Sequence, residues 1–436
     1  MNIVDLSALS IFLIISMQES KNYIAVEITD NIFFSSQYLL NNHTNIRNKN
    51  DLEDLIDNMI KKYANVGFPF CHIYPEVVYK NEAIEKVILK IDEGERVMVT
   101  DYIFHTQGKT ETSIIRRIAD AKTGIYFSHK EVEKSKTNLL RTEVFENIDD
   151  NLIYQDGNYY VLLYLTEKKT DYFTVLGSFA EDDFHFSISF HSLNLLGTLR
   201  RLQFLYEYEK LFSFQFSEPL LIYPAEIEGN FSLLTYDSVR LIQFSGTVTA
   251  PLGRYFEVSL MSGIEAISYY GNIPETQGHT DNTLGLSFAF HHNTSNWALN
   301  QTIGYEHLFR QHDRRRVRYD GEFEMLKLNL KTHCYVVNTD SFEYFDYYRL
   351  GGAHNLRGYF EEEFIVSDAI WLNCEYKKFF VFPLFDIGLL DNDIKFSYGF
   401  GIEAKSDFAN ATLVIAWPQK ANWRDGKIHL MLKTGF

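Results

Sequence analysis

Few residues in this 436-residue sequence stand in patterns that make or break covalent bonds. Ser/His/Asp triads, HExxH helices, glycine-rich phosphate loops and paired helical carboxylates each leave a spacing signature, and none stands out. The reading is of a chain that is not an enzyme and carries no metal or other cofactor. Cys71, Cys334 and Cys374 lie far apart without a CxxC spacing. Neither a metal site nor a disulfide framework is expected from them, and three unpaired thiols packed as small apolar groups fit better. His291 and His292 are adjacent at an expected strand end, where neighbouring side chains face opposite ways and cannot readily share a metal. Arg314-Arg315-Arg316 reads as a solvated loop run, open to lipopolysaccharide or a partner. The residues that do stand out are a cation, a carboxylate and glycines: Leu350-Gly351-Gly352, Leu356-Arg357-Gly358-Tyr359 and Asp386-Ile387-Gly388. Ion pairing and tight turning are the chemistry they offer.

Composition narrows the setting in which such residues act. The formal net charge of −17 argues against nucleic acid, whose phosphates would repel the chain. Aromatic residues make up 16%, with 28 Tyr and 36 Phe, which suits strands and the interfacial girdles of membrane barrels. Mean hydropathy is −0.19, and no apolar run reaches the roughly 18 residues that a spanning helix requires. A membrane barrel escapes that test because its strands alternate. At the N-terminus, Leu6 to Met17 reads as the apolar core of a secretory signal within residues 1–20. No Lys or Arg precedes it and no A-x-A-like site follows, so a short buried segment is the alternative.

The elements that must hold these residues change character near residue 170. Before it, helical and strand patterns mix. Asp51 to Tyr63 places Leu52, Leu55, Ile56, Met59 and Ile60 at helical spacing, with acidic residues at its start and Lys61-Lys62 at its end. Tyr23 to Thr29 would open this first unit as a strand, Asn31 to Asn41 would be its first helix, and strands over Cys71 to Tyr79 and Ala83 to Asp92 would close it. The order then recurs. A strand over Val97 to Phe104 precedes helices over Thr110 to Ala121 and Ser128 to Thr142, the second opened by a Ser128/Glu131 capping box. Strands over Val144 to Tyr154 and Tyr159 to Leu165 follow. Two β-α-α-β-β units of about 75 residues result, a comfortable small-domain size.

Beyond Asp171 strict alternation takes over. Phe184, Phe186, Ile188 and Phe190 share one face of a strand, with His185, Ser187, Ser189 and His191 on the other. Phe396, Tyr398, Phe400 and Ile402 likewise oppose Lys395, Ser397, Gly399, Gly401 and Glu403. Leu326 to Cys334 and Ile428 to Phe436 repeat the scheme. Aromatic faces backed by polar ones fit a hydrated lumen better than a soluble sandwich. About fifteen candidate strands fit this stretch, and single-chain bacterial barrels have even strand numbers, so about sixteen is expected, with fourteen the alternative.

The C-terminal part resembles the BamA/TamA superfamily. Leu356-Arg357-Gly358-Tyr359 is similar to the [V/I/L]-R-G-[F/Y] tetrad on a long loop that, in that family, folds into the barrel lumen. Phe385-Asp386-Ile387-Gly388 is similar to the family's F-x-D-x-G, one residue short because Phe385 directly precedes the Asp. Gly399-Phe400-Gly401 follows, and Lys427 to Phe436, with Leu430, Leu432 and the terminal Phe436, looks like a barrel assembly signal. The N-terminal units resemble POTRA domains through Tyr63-Ala64-Asn65-Val66-Gly67-Phe68-Pro69-Phe70 and Ile91-Asp92-Glu93-Gly94-Glu95-Arg96-Val97. In the second unit, Gly124 to Phe127 and Leu140 to Phe145 carry the likeness. The expected organisation is a mixed chain: α+β POTRA-like domains over 21–96 and 97–169, then an antiparallel transmembrane β-barrel over 170–436.

A guanidinium inside a barrel needs a buried carboxylate, and Arg offers a rigid fork of donors that a carboxylate accepts in bidentate fashion. Arg357 is therefore expected to reach Asp386, with Glu403 as a second partner. Gly358 would permit the turn, and Gly351, Gly352, Gly388, Gly399 and Gly401 would allow close approach. The resemblance implies a protein-assembly or translocation factor of the bacterial outer membrane, with its POTRA domains in the periplasm. Unfolded clients, accessory lipoproteins and outer-membrane lipid are the implied partners. A secretion pore for one dedicated protein and a passive outer-membrane channel are the alternatives.

Overall fold

The computed structural model describes residues 23–435 apart from 42–44, 81–82, 181–182, 237–238, 254, 271–277, 295, 310–312, 341 and 407–408. The expected signal segment over 1–20 and the terminal Phe436 lie outside the described residues. The chain divides into two compact units, one up to Lys168 and one from Lys169.

The first unit holds two β-α-α-β-β modules of the same topology. In the first, strand Ile24–Thr29 pairs in parallel with Ala83–Asp92, which pairs antiparallel with His72–Lys80. A two-residue strand, Asn45–Ile46, closes the other edge. Helix Lys49–Ala64 starts where the Asn48 side chain accepts the Asp51 N–H, and it buries Leu52, Leu55, Met59 and Tyr63, one helical stripe, on the sheet. The helix expected over Asn31 to Asn41 is confined to Ser36–Leu40. Glu93 accepts both the Ile32 and Phe33 N–H groups at 2.7 Å, and Asn31 Nδ2 donates to the Phe34 carbonyl. Those bonds satisfy the backbone in a turn, and Ser35 caps the helix that follows.

The second module repeats the plan with strands Met98–Thr106, Asn158–Glu167 and Phe145–Gln155 and helices Thr112–Ala119 and His129–Leu140. The Ser128/Glu131 capping box does not form. Ser128 sits at the cap position without a side-chain bond, and Glu131 instead pairs with Lys122 at 3.0 Å. At the junction of the modules the Arg96 guanidinium lies 3.6 Å from the Tyr126 ring centre and 5.0 Å from that of Phe33. The next residue, Val97, donates its N–H to the Gly67 carbonyl at 2.7 Å.

The second unit is a closed antiparallel barrel of sixteen strands in chain order, from Asp171–Ala180 to Lys427–Gly435. It closes where the last strand pairs with the first, from Ile428 opposite Phe179 to Gly435 opposite Tyr172. Closure leaves no open edge, the condition for a sheet in lipid. Alternation sorts the two faces. On the thirteenth strand, Val381–Leu390, the residues Phe382, Leu384, Asp386 and Leu390 are buried inward, while Phe385 and Leu389 point out. Phe244, Leu260, Phe288, Ile303 and Phe400 belong to the same outward apolar surface, which is the lipid-facing band of a transmembrane barrel.

Cys71 is buried in the first module's core, and burial, with Glu93 nearby, pushes its thiol up to about 12. At pH 8 only about one thiol in ten thousand would then be thiolate, the reactive form. The folded protein is expected to leave Cys71 unalkylated by iodoacetamide at pH 8 and to label it on unfolding in urea. Stoichiometric labelling of the native protein, read by peptide mass, would contradict the burial.

Candidate functional site: the inner loop and its ionic clasp

The eleventh barrel strand, Leu328–Thr339, and the twelfth, Asp368–Tyr376, are joined by a long loop that folds against the inner wall. Its arms pair as a short hairpin, Tyr348–Leu350 with Phe364–Val366. Gly351 and Gly352 both have positive φ between those arms, a backbone that side chains rarely adopt. A Cβ on Gly352 would also meet the Glu361 carboxylate. Leu350, Leu356 and Tyr359 then bury against Tyr335, Val337, Trp371 and Leu390 of the wall. Gly388 makes room for Leu356, because a Cβ there would sit 3.3 Å from its Cδ1.

Arg357 meets Asp386 through three bonds. Nε donates to Oδ2 at 2.8 Å, Nη2 to Oδ1 at 2.6 Å, and the Arg357 backbone N–H to Oδ2 at 3.0 Å. Asp386 is fully buried. Nη1 donates to Glu375 on the twelfth strand, which Lys377 also holds at 2.8 Å. Beside them Asn373, the register partner of Asp386, donates to the Asn355 carbonyl at 2.5 Å. Gly358 follows with φ +95°, and a Cβ there would stand 2.8 Å from the Trp417 carbonyl carbon on the fifteenth strand, Ala409–Pro418. The Tyr359 hydroxyl donates to the Phe396 carbonyl on the fourteenth, Asp393–Lys405. The loop is thus held by a bidentate charge-assisted pair, a main-chain contact and one phenolic bond.

Other expected residues fall differently. Glu403 does not serve Arg357. It lies near the far end of its strand, where it pairs with Lys405 at 3.1 Å and accepts from Asn410 at 2.8 Å, and Glu375 takes the second position. Gly399 and Gly401 do face inward, but the wall itself fills the space they leave. A Cβ on Gly399 would strike the Ile415 carbonyl, and one on Gly401 the Phe382 ring. Leu430 and Leu432 point outward on the closing strand. The arginine run is not a solvated loop. It opens the tenth strand, Arg314–Met325, whose alternation buries Arg314 and Arg316 in the barrel and leaves only Arg315 outside. The loop reading missed that Arg314, Arg316 and Arg318 recur at period two, a strand signal. Glu375 carried the same signal, sharing one face with Trp371 and Asn373. Among the described residues no His/Cys/Asp/Glu group is arranged to hold a metal.

No known family's sequence profile matches the chain, and none of the curated proteins is detectably similar to it in sequence. Solved structures are similar in fold. BamA from Haemophilus ducreyi lacking POTRA domains 1–3 superposes with a TM-score of 0.57 at 15% identity, over 95% of this chain and 100% of that one. CdiB from Escherichia coli gives 0.59 at 11% identity over 97% and 92%, and CdiB from Acinetobacter baumannii 0.57 at 12% over 100% and 93%. The chain shares the fold of these BamA and CdiB structures. POTRA-like modules preceding a sixteen-strand barrel are therefore the architecture of the chain.

Breaking a buried ion pair by removing one partner costs about 3–5 kcal/mol. Asp386→Asn is accordingly expected to unseat the loop, making the buried Tyr359 open to chymotrypsin in the folded, heat-modifiable barrel. Exchanging the charges, Arg357→Asp with Asp386→Arg, should recover part of the protection. If the exchanged protein is cleaved as fast as either single variant, the pair does not hold the loop. Gly358→Ala should loosen the same segment by steric means alone, with the charges intact.

Proposed function

We propose that the chain is an outer-membrane assembly or translocation factor that receives unfolded protein through residues 21–96 and 97–169 and inserts it by way of the barrel over 170–436. The observation that carries this reading is the tandem of β-α-α-β-β modules in one chain with a closed barrel whose lumen holds a clasped loop. Strands His72–Lys80 and Phe145–Gln155 lie at sheet edges, each with one side unpaired by another strand among the described residues. Such an edge can accept an extended client by strand addition. The barrel seam, Asp171–Ala180 against Lys427–Gly435, offers a second edge if it parts. The barrel lies in the bacterial outer membrane and the modules in the periplasm, where clients and accessory lipoproteins would meet them. The role proposed is non-enzymatic.

Secretion of one dedicated protein is the second reading, supported by the likeness to CdiB, which matches the chain as well as BamA does. The loop clasped inside the lumen weighs against a passive channel. Client range separates the first two readings. Depletion followed by a census of outer-membrane proteins is expected to show broad loss for general assembly and loss of a single species for dedicated secretion.

Leu176 and Met431 face each other across the seam. With the native cysteines replaced by Ser, Leu176→Cys and Met431→Cys should form a disulfide that stops client assembly and releases it again on reduction. Full activity in the oxidised protein would remove lateral opening from the mechanism.

A further inference from the structure

The arginine run of the tenth strand closes a second ionic cluster, separate from the Arg357 site. On the wall, Glu265 of the seventh strand, Phe256–Tyr269, takes Arg316 through bonds of 2.8 and 3.3 Å. Gln243 of the sixth strand donates to the same carboxylate at 2.9 Å. On the loop, one Asp346 oxygen lies 3.4 Å from the Arg314 guanidinium and 3.5 Å from that of Arg316. The other accepts the Glu343 N–H at 2.7 Å and closes a turn. Glu343 itself reaches Arg314 at 2.7 Å and His279 at 3.0 Å, and the Tyr335 hydroxyl donates to the Asp346 carbonyl.

Two guanidiniums two residues apart on one strand face repel, and both are buried. They can share that space only if carboxylates stand between and around them. Asp346 is the group between them, and it comes from the loop. The wall here lies between the sixth strand, Val239–Leu252, and the eleventh, whereas Arg357 grips strands twelve and thirteen. Three residues after Asp346, the Arg349 guanidinium lies 4.5 Å from the centres of both the Tyr236 and Tyr344 rings, which touch each other at 5.6 Å. We propose that Asp346, Arg314 and Arg316 are positioning residues that fix the root of the inner loop independently of the Arg357–Asp386 clasp at its tip. The inference concerns the seat of the loop and stands apart from the client reading.

Asp346→Asn keeps an acceptor for the Glu343 turn and removes the charge between the arginines. In the full chain reconstituted in liposomes, tryptic cleavage after Arg349 is expected to rise about tenfold, as local opening of the root exposes it. A disulfide between Asn355→Cys and Asn373→Cys, in a background without the native cysteines, reports the tip and should form as in the parent. Asp346→Glu should restore protection in part. Unchanged cleavage after Arg349 overturns the proposal, and so does loss of the 355–373 disulfide together with the root, because the two ends would then be one unit. Heat-modifiable gel migration establishes folding. If Asp346→Asn fails it, Glu343→Gln, which weakens the Arg314 and His279 contacts and leaves Asp346 between the arginines, carries the same two readouts and the same overturning results. Client assembly is scored separately, so its outcome bears on the proposed function and leaves the cleavage result standing.

Discussion

A guanidinium withdrawn from water must meet carboxylates, and the interior of this barrel is arranged around that requirement. Arg357 brings its own backbone N–H to Asp386 as well as two side-chain donors, so the carboxylate fixes main chain and side chain together. The bond therefore sets the path of the loop in addition to neutralising a charge. Leu356 and Tyr359, on either side of the Arg357-Gly358 pair, are pressed into the wall by the same geometry. Gly358 and Gly388 then read as consequences, places where a side chain would hold the charged groups apart.

The barrel wall supplies what the loop needs because strand alternation has only two outcomes for each residue. On Val381–Leu390, a period of two puts Asp386 inward and Phe385 outward, and a one-residue slip would bury the aromatic and present the carboxylate to lipid. The ionic clasp and the apolar exterior therefore depend on one register. The same rule governs Arg314, Arg315 and Arg316, of which the middle one alone faces out.

Much of this was legible in the sequence, unevenly. Alternation and aromatic faces carry the barrel, because lipid outside and water inside impose a strict period. The helix Lys49–Ala64 was equally clear, since its buried stripe, cap and terminal charges all agree. The partners of buried charges were harder to see. Glu403 and Glu375 both sit on barrel strands with inward faces, and only the three-dimensional stagger of neighbouring strands decides which one is level with Arg357. The arginine run misled for a related reason. Three adjacent cations signify solvent unless their alternation is weighed against Glu265, Asp281 and Glu306 of three other strands and Glu343 and Asp346 of the loop. The short helix at Ser36–Leu40 was cut back by Glu93, a carboxylate 60 and 61 residues beyond the two N–H groups it accepts, which no local propensity reports.

The junction between the two N-terminal modules has a mechanical meaning. Only a few residues separate strand Ala83–Asp92 from strand Met98–Thr106, and two of them are already spent, Arg96 stacked on aromatic rings and Val97 bonded to Gly67. Such a connection resists swivelling far more than a free linker would. The pair behaves as a single lever arm. Tension on one module is then transmitted to the other with little slack.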